Sequence, residues 1–313
     1  MNLADLSNII DGKLIGDSKL TLDYLSPLND QKENSISFIL DEKQLKTFNK
    51  QVASAFITFK EIKNIANQII IKNPQKALAK TIDYYLKTKK NQSQTPTQIS
   101  ETSSIHPKVV IGHSSTIGEN CTIEANCVIG NNCKLGNNVI LHPNITIYDN
   151  TVISNNVIIH AGTVIGADGF GYYKDNNCIK KIHHIGSVII ESNGEIGANC
   201  CIDKGCLGKT IIKNGSKLDN LIQIAHNASI GKNTLIAAQC GLTGSVKIGN
   251  NVTIGGQAGI YATIEDNAVI AGKSGVTKPI KSNYIVSGFP ADTHKTQLKK
   301  QAFINKLYKE KHQ

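Results

Sequence analysis

The chain has no tryptophan, a single methionine and only 5% aromatic residues, which excludes a core assembled around large rings. No segment approaches the ~18 consecutive apolar residues of a membrane-spanning helix. The N-terminal MNLADLSNIIDG has no basic stretch leading into an apolar run. Both absences predict a soluble, cytoplasmic protein with no transmembrane segment. C-x-x-C pairs are also missing, although there are eight cysteines. In a chain of 313 residues without a secretory leader, that argues against a disulfide framework and against a zinc cluster. The formal net charge of +10 favours an acidic partner such as nucleic acid, an anionic headgroup or an acidic protein, and charge alone does not choose among them.

What the chain does have is glycine, 26 residues of it, and a repeat. From Ile105 to Ile165 an aliphatic residue returns at every sixth position, eleven times in succession, through Ile111, Ile117, Ile123 and onward. Blocks such as IGENCT, IGNNCK and LGNNVI share an aliphatic first position, a small second, polar third and fourth, and a small or branched fifth. This is the hexapeptide signature of a parallel β-helix. Three hexads make a triangular coil that stacks about 4.8 Å above the last. Glycine and asparagine suit corners that need positive φ. Cys121, Cys127, Cys133, Cys200, Cys206 and Cys240 all follow a ladder residue by four, so they are expected to be small buried fillers.

The ladder is interrupted at Gly166–His184, returns at Ile190, Ile196 and Ile202, and carries a shorter excess before Ile212. It then runs to Ile260 and resumes at Ile264 two residues short of register. Loops thrown out of a rigid coil are where a solenoid keeps its specificity. Residues 1–90 lack the ladder; ISFIL, VASAFITF and NQIIIKN read as strands and QKALAKTIDYYLKTKK as an amphipathic helix, giving a small α/β domain. Residues 91–104 read as a polar linker, 105–290 as the β-helix and 291–313, from about Asp292, as a lysine-rich helical extension.

Three motifs carry candidate chemistry. GADGFG has the wrong spacing for a dinucleotide-binding turn and does not join a strand to a helix, so it reads as a flexible substrate loop. His142 and His160 lie 18 residues apart and should stack on adjacent coils, either as an interface pair or as part of a zinc site whose third ligand is not evident. His226 stands two residues after ladder residue Ile224, outside the structural demand of the repeat. It is either ornamental or a general base, since a free imidazole titrates near 6.5. Asp219, seven residues earlier, is placed to orient a histidine on an adjoining face.

HAGTVIGADGFGY (160–172), EIGANCCIDKG (195–205), LDNLIQIAHN (218–227) and IGGQAGI (254–260) closely resemble the UDP-3-O-acylglucosamine N-acyltransferases of lipid A assembly, and the likeness runs over nearly the whole chain. The resemblance implies a homotrimer of left-handed parallel β-helices with active sites between subunits. It also implies transfer of a 3-hydroxyacyl chain from acyl carrier protein to the 2-amine of a UDP-3-O-acylglucosamine. His226 matches the catalytic base, Asp219 its acidic support and Gly244 a backbone donor to the oxyanion. Phe38, Asn220 and Gln223 match substrate-binding positions, Phe38 within a uridine-binding N-terminal domain. No metal and no cofactor of its own is implied, because the acyl donor rides on the phosphopantetheine of acyl carrier protein. Lys295, Lys299 and Lys300 would steer that acidic carrier. Nucleic acid is not an implied partner, and peripheral membrane contact is left open. Several positions depart from the family pattern: Asp41 and Gln44 replace the usual Asn and Tyr beside Phe38, Lys204 an Arg, Gly208 an Asp, Asp149 a His, Tyr261 a second His and Gly275 a bulky Met. The departures keep alternatives open: a divergent paralogue acylating another nucleotide-linked amino sugar, a non-catalytic trimeric scaffold, or a metal-dependent lyase.

Overall fold

The structure, a computed structural model, describes residues 1–88, 94–289 and 293–312. Strands β1 (Lys13–Ile15), β2 (Tyr24–Leu25), β3 (Ser35–Ile39), β4 (Ala55–Thr58) and β5 (Gln68–Ile70) form one sheet in the order β1-β5-β4-β3-β2. All neighbours run parallel except β1 and β5. β3 and β4 are buried at every residue, which is why they read as unbroken apolar runs. The sheet is accompanied by α1 (Leu3–Ile9), α2 (Glu42–Thr47) and α3 (Pro74–Thr88). The three expected strands and the expected helix are β3, β4, β5 and α3. Helix α1 begins where the Asn2 side chain accepts the N–H groups of Ala4 and Asp5, and it buries Leu3, Leu6 and, at its C-cap, Ile10 along one face.

From Gln98 onward most hexads contribute a two-residue strand, and the described strands form three parallel sheets of ten, nine and eight. Ile123 pairs with Leu141, Ile129 with Ile147 and Leu135 with Ile153, so each coil takes 18 residues. The ladder side chains point inward and are almost wholly buried, with Ile123 and Ile129 at 1% and Leu141 and Ile159 at 0% exposure. Each such side chain is worth about 1.5–3 kcal/mol of burial. The first coil strand, Gln98–Ile99, precedes Ile105 by one hexad, so the second half of the 91–104 segment already belongs to the coil; Asn91, Gln92 and Ser93 lie outside the described residues. The proposed boundary at 290/291 and the helix start at Asp292 also lie outside them, and α4 is described over His294–His312.

Corners divide two tasks between two residue types. Asn120, Asn126, Asn132, Asn138, Asn144, Asn150 and Asn156, each third after a ladder residue, take φ between 55° and 63°. Asparagine tolerates that left-handed region better than most residues with a Cβ. Gly162 and Gly215, also third after a ladder residue, take the positive φ expected of glycine at 75°, but the glycines directly after the ladder, Gly166 at φ 88° excepted, serve a different need. A Cβ on Gly118 would lie 2.3 Å from Asn137 Oδ1, and one on Gly231 would lie 2.1 Å from Gly249 O. Glycine is there because the next coil passes too close for a side chain. At the fifth position Cys121, Cys127 and Cys133 are buried fillers as expected, and their thiols also donate to carbonyls of the next coil, Cys121 to Gly136 O at 3.1 Å. Burial raises the Cys133 thiol to about 11, so it stays protonated.

The breaks in the ladder are excursions from an otherwise continuous coil. Ile153 pairs with Ile190 across the first and Ile190 with Ile212 across the second. Past Ile260 the coil shortens to 16 residues, with Ile260 on Val276 and Ile254 on Ile270.

Candidate active site

Both excursions run toward the N-terminal domain. The first is an antiparallel hairpin of Tyr172–Asp175 with Cys178–Lys181, and its Tyr173 and Ile182 pack on Ala79 and Ile82 of α3. Lys76 joins Asp175 at 3.0 Å. The second sets Leu207 into the same cluster, and Lys209 approaches Asp30 at 3.7 Å. GADGFG is therefore anchored at both ends rather than free to swing: Val164–Asp168 is a strand alongside Cys201–Lys204, with a bulge between Ile165 and Ala167.

His226 sits where these segments meet. Its Nδ1 lies 3.1 Å from Asn227 Oδ1. That oxygen also accepts Cys206 N–H at 3.0 Å, while Asn227 Nδ2 donates to Leu207 O. These two backbone contacts fix which end of the amide is oxygen, so Nδ1 of His226 must be the donor and Nε2 carries the lone pair. Nε2 faces Gly244, one coil up, where an added Cβ would stand 2.7 Å from it. Gly244 is exposed, and its N–H makes no hydrogen bond to another backbone group among the described residues.

A charged cluster borders the imidazole. Asp168 binds Lys181 at 2.7 Å and Lys204 at 3.0 Å. Burial alone would raise its carboxyl, but the two lysine hydrogen bonds outweigh that and hold it at about 2. Asp203 accepts from Gln223 Nε2 at 3.0 Å and is raised by burial, against the lowering pull of Gln223 and His226. His184, 4% exposed, lies edge-to-face with His226 at a ring separation of 5.1 Å.

The other expected site residues are scattered. Asp219 and Asn220 occupy the corner before the Gln223–Ile224 strand, whereas His226 lies in the corner after it. No hydrogen bond or ion pair joins Asp219 to His226 among the described residues; Asp219 Oδ1 accepts Asn220 N–H at 2.8 Å. Asn220 Oδ1 caps Ala198 N–H of the preceding coil. Asp219 and Asn220 border a cleft of about 570 Å³ with His160, Lys217 and Leu235, and its lining does not include His226. Phe38 is 4% exposed in the N-terminal core, leaving little face for a base to stack on. Asp41 and Gln44 cap α2: Asp41 Oδ1 accepts Gln44 N–H and Gln44 Oε1 accepts Leu40 N–H, both at 2.7 Å. A cleft of about 790 Å³ lies beside them, at the carboxyl ends of β3, β4 and β5, with Lys13, Lys72 and Phe59 in its wall.

His142 and His160 stack as their spacing predicts, with ring centroids 4.9 Å apart. His142 faces Glu124 at 3.4 Å and His160 faces Glu195 at 3.2 Å. No group of three or more His, Cys, Asp or Glu able to hold a metal occurs among the described residues. The α4 residues whose burial is described are solvent-exposed apart from partly buried Thr296, and no helix among the described residues is long and apolar enough to cross a membrane. The repeat did not single out Asn227 or His184. Asn227 stands at the ordinary corner position with φ 61°, and His184 falls inside an excursion that the six-residue count cannot place.

Comparison with known proteins adds independent findings. The family described as Bacterial transferase hexapeptide (six repeats) matches residues 96–131, 132–167 and 227–262. UDP-3-O-acylglucosamine N-acyltransferase of Campylobacter lari is 39% identical over 320 aligned residues, covering 100% of both chains. UDP-3-O-acylglucosamine N-acyltransferase 1 of Sulfurimonas denitrificans is 40% identical over 318, covering 99% of this chain and 100% of that one. Among solved structures, UDP-N-acetylglucosamine O-acyltransferase of Moraxella catarrhalis aligns with a TM-score of 0.46 and 26% identity, over 65% of this chain and 77% of that one.

Proposed function

The chain belongs to the UDP-3-O-acylglucosamine N-acyltransferase family, and from that premise we propose that it moves a 3-hydroxyacyl chain from acyl carrier protein to the 2-amine of UDP-3-O-acylglucosamine in lipid A assembly. The observation that carries the mechanism is the tautomer of His226, whose Nδ1 is tied to Asn227 and whose Nε2 is an acceptor with no hydrogen bond among the described residues. In the transfer the amine nitrogen attacks the thioester carbonyl and loses its proton to Nε2. The tetrahedral intermediate then collapses with C–S cleavage, and the imidazolium returns the proton to the departing phosphopantetheine thiolate. Atoms and charge balance without a covalent acyl-enzyme, a metal or a cofactor of the protein's own. The unengaged N–H of Gly244 supports its role as oxyanion donor, worth roughly 3 kcal/mol when preorganised.

Asp219 lies a corner away from His226 in its own chain, so its support of the base comes from a neighbouring subunit of a homotrimer. Asn220 and Gln223 then line the substrate path at that seam. The uridine end enters the cleft bordered by Asp41, with Phe38 in the core beneath the same sheet. Gly275 is exposed and a Cβ on it would meet nothing within 4 Å, so within one chain nothing at that position narrows an acyl path. The lysines of α4 supply a cationic face for the acidic carrier in the cytoplasm.

The test is acyl transfer from 3-hydroxyacyl carrier protein to the UDP-sugar amine by wild type, His226→Ala and His226→Gln. Removing the base should lower kcat by about 10²–10⁴-fold. Unchanged turnover in both variants would refute it.

A further inference from the structure

One buried titratable group beside the base has no part in the transfer just described. The imidazole of His184 has its Nδ1 3.1 Å from Ile182 O, while its Nε2 is buried and has no partner among the described residues. A carbonyl only accepts, so Nδ1 carries the hydrogen and Nε2 the lone pair.

We infer that His184 is a positioning residue for His226: a neutral imidazole clamped against the base, fixing the tilt of its ring and favouring its protonated form. This rests on the reading of His226 as the base. The contact is edge-to-face, 5.1 Å between centroids and 69° between planes. Two glycines of GADGFG close it from outside. A Cβ on Gly169 would lie 2.7 Å from His226 Cβ and 3.0 Å from His184 Nε2, and one on Gly171 would lie 2.6 Å from His184 Cε1. The glycines of that motif let backbone lie directly on two imidazole rings, which no phosphate-binding role requires.

The chemistry asks for such a neighbour. When His226 accepts the amine proton it becomes a cation, and a neutral neighbour that keeps a lone pair toward the site tolerates that cation where a second charge would oppose it. His184 stays neutral because burial, then the neighbouring His226, lower it to about 4. The other charged groups facing the pair are Asp168 and Lys204 toward His184 and Asp203 toward His226, with Lys181 bound to Asp168. Asp168 and Lys204 engage each other and act on His184 in opposite directions, the carboxylate raising it and the ammonium lowering it.

His184→Leu keeps bulk without the neutral acceptor, and His184→Gln restores an amide that donates to Ile182 O. Kinetics across pH, alongside titration of the His226 Cε1 resonance in histidine-labelled protein, separate positioning from general damage. In His184→Leu, kcat should fall by about tenfold or more while KM for the sugar nucleotide stays within about twofold. The acid limb of the pH profile and the His226 titration should move together to lower pH, and His184→Gln should recover most of the rate. If His184→Leu does not fold, Gly171→Ala displaces the same ring from outside and should shift the His226 titration. An unchanged His226 titration in the folded variant overturns the inference. Should His226→Ala retain activity, the base assignment fails, while the resonance still decides whether His184 governs that ring.

Discussion

Asn227 performs three tasks at one position. Its backbone makes the left-handed corner, its amide holds the second excursion and its carbonyl oxygen sets the proton of His226. Next to it, His184 couples the site to pH through stability. It is held at about 4 in the folded chain, against about 6.5 when unfolded. Between those values the unfolded chain binds the extra proton, so stability present above about pH 6.5 is lost as pH falls toward 4. His184→Gln removes this contribution. Between pH 7 and pH 4.5 the wild type should therefore lose about 2–4 °C more in Tm than the variant, measured by calorimetry. Asp168 titrates at about 2 and leaves that window untouched. His226 was legible in the sequence because the hexad arithmetic had no use for it. Asn227 was hidden because the same arithmetic did have a use for it, and His184 because it lies where no count applies.

The corner is the element in which the division between glycine and asparagine becomes measurable. Gly231→Ala forces a Cβ against Gly249 O and should cost about 1–3 kcal/mol in denaturant unfolding. Asn138→Gly, at φ 58° with an exposed amide reaching Asn156, should change stability by no more than about 0.5 kcal/mol. An equal cost for both would show that backbone conformation, and not the approach of the next coil, governs the two positions. The coil itself was readable because one inward side chain per hexad repeats without exception from Ile105 to Ile165. The hairpin at Tyr172–Lys181 was not, since its partner strand and its docking surface on α3 come from outside any periodic pattern.

At the scale of the whole molecule, one chain holds the parts of the site at separate corners. In the proposed homotrimer, mixing inactive His226→Ala with inactive Asp219→Ala subunits should restore activity, because some seams then pair an intact His226 with an intact Asp219. No recovery, in assemblies confirmed by mass at three times 33.8 kDa, would place the pair within one chain or remove Asp219 from the mechanism. All 34 cationic side chains are lysine. The proposed attraction toward an acidic carrier would therefore be built from point charges without the bidentate fork of arginine, steering more than grip. The hairpin that docks on α3 has a final consequence. A solenoid whose coils touch only their neighbours can fray or melt coil by coil. Here Lys76 and Asp175, 99 positions apart, bind the middle of the stack to the first-made domain, so that region should unfold with the N-terminal domain as one cooperative unit while the outer coils open alone, a difference that hydrogen exchange would read.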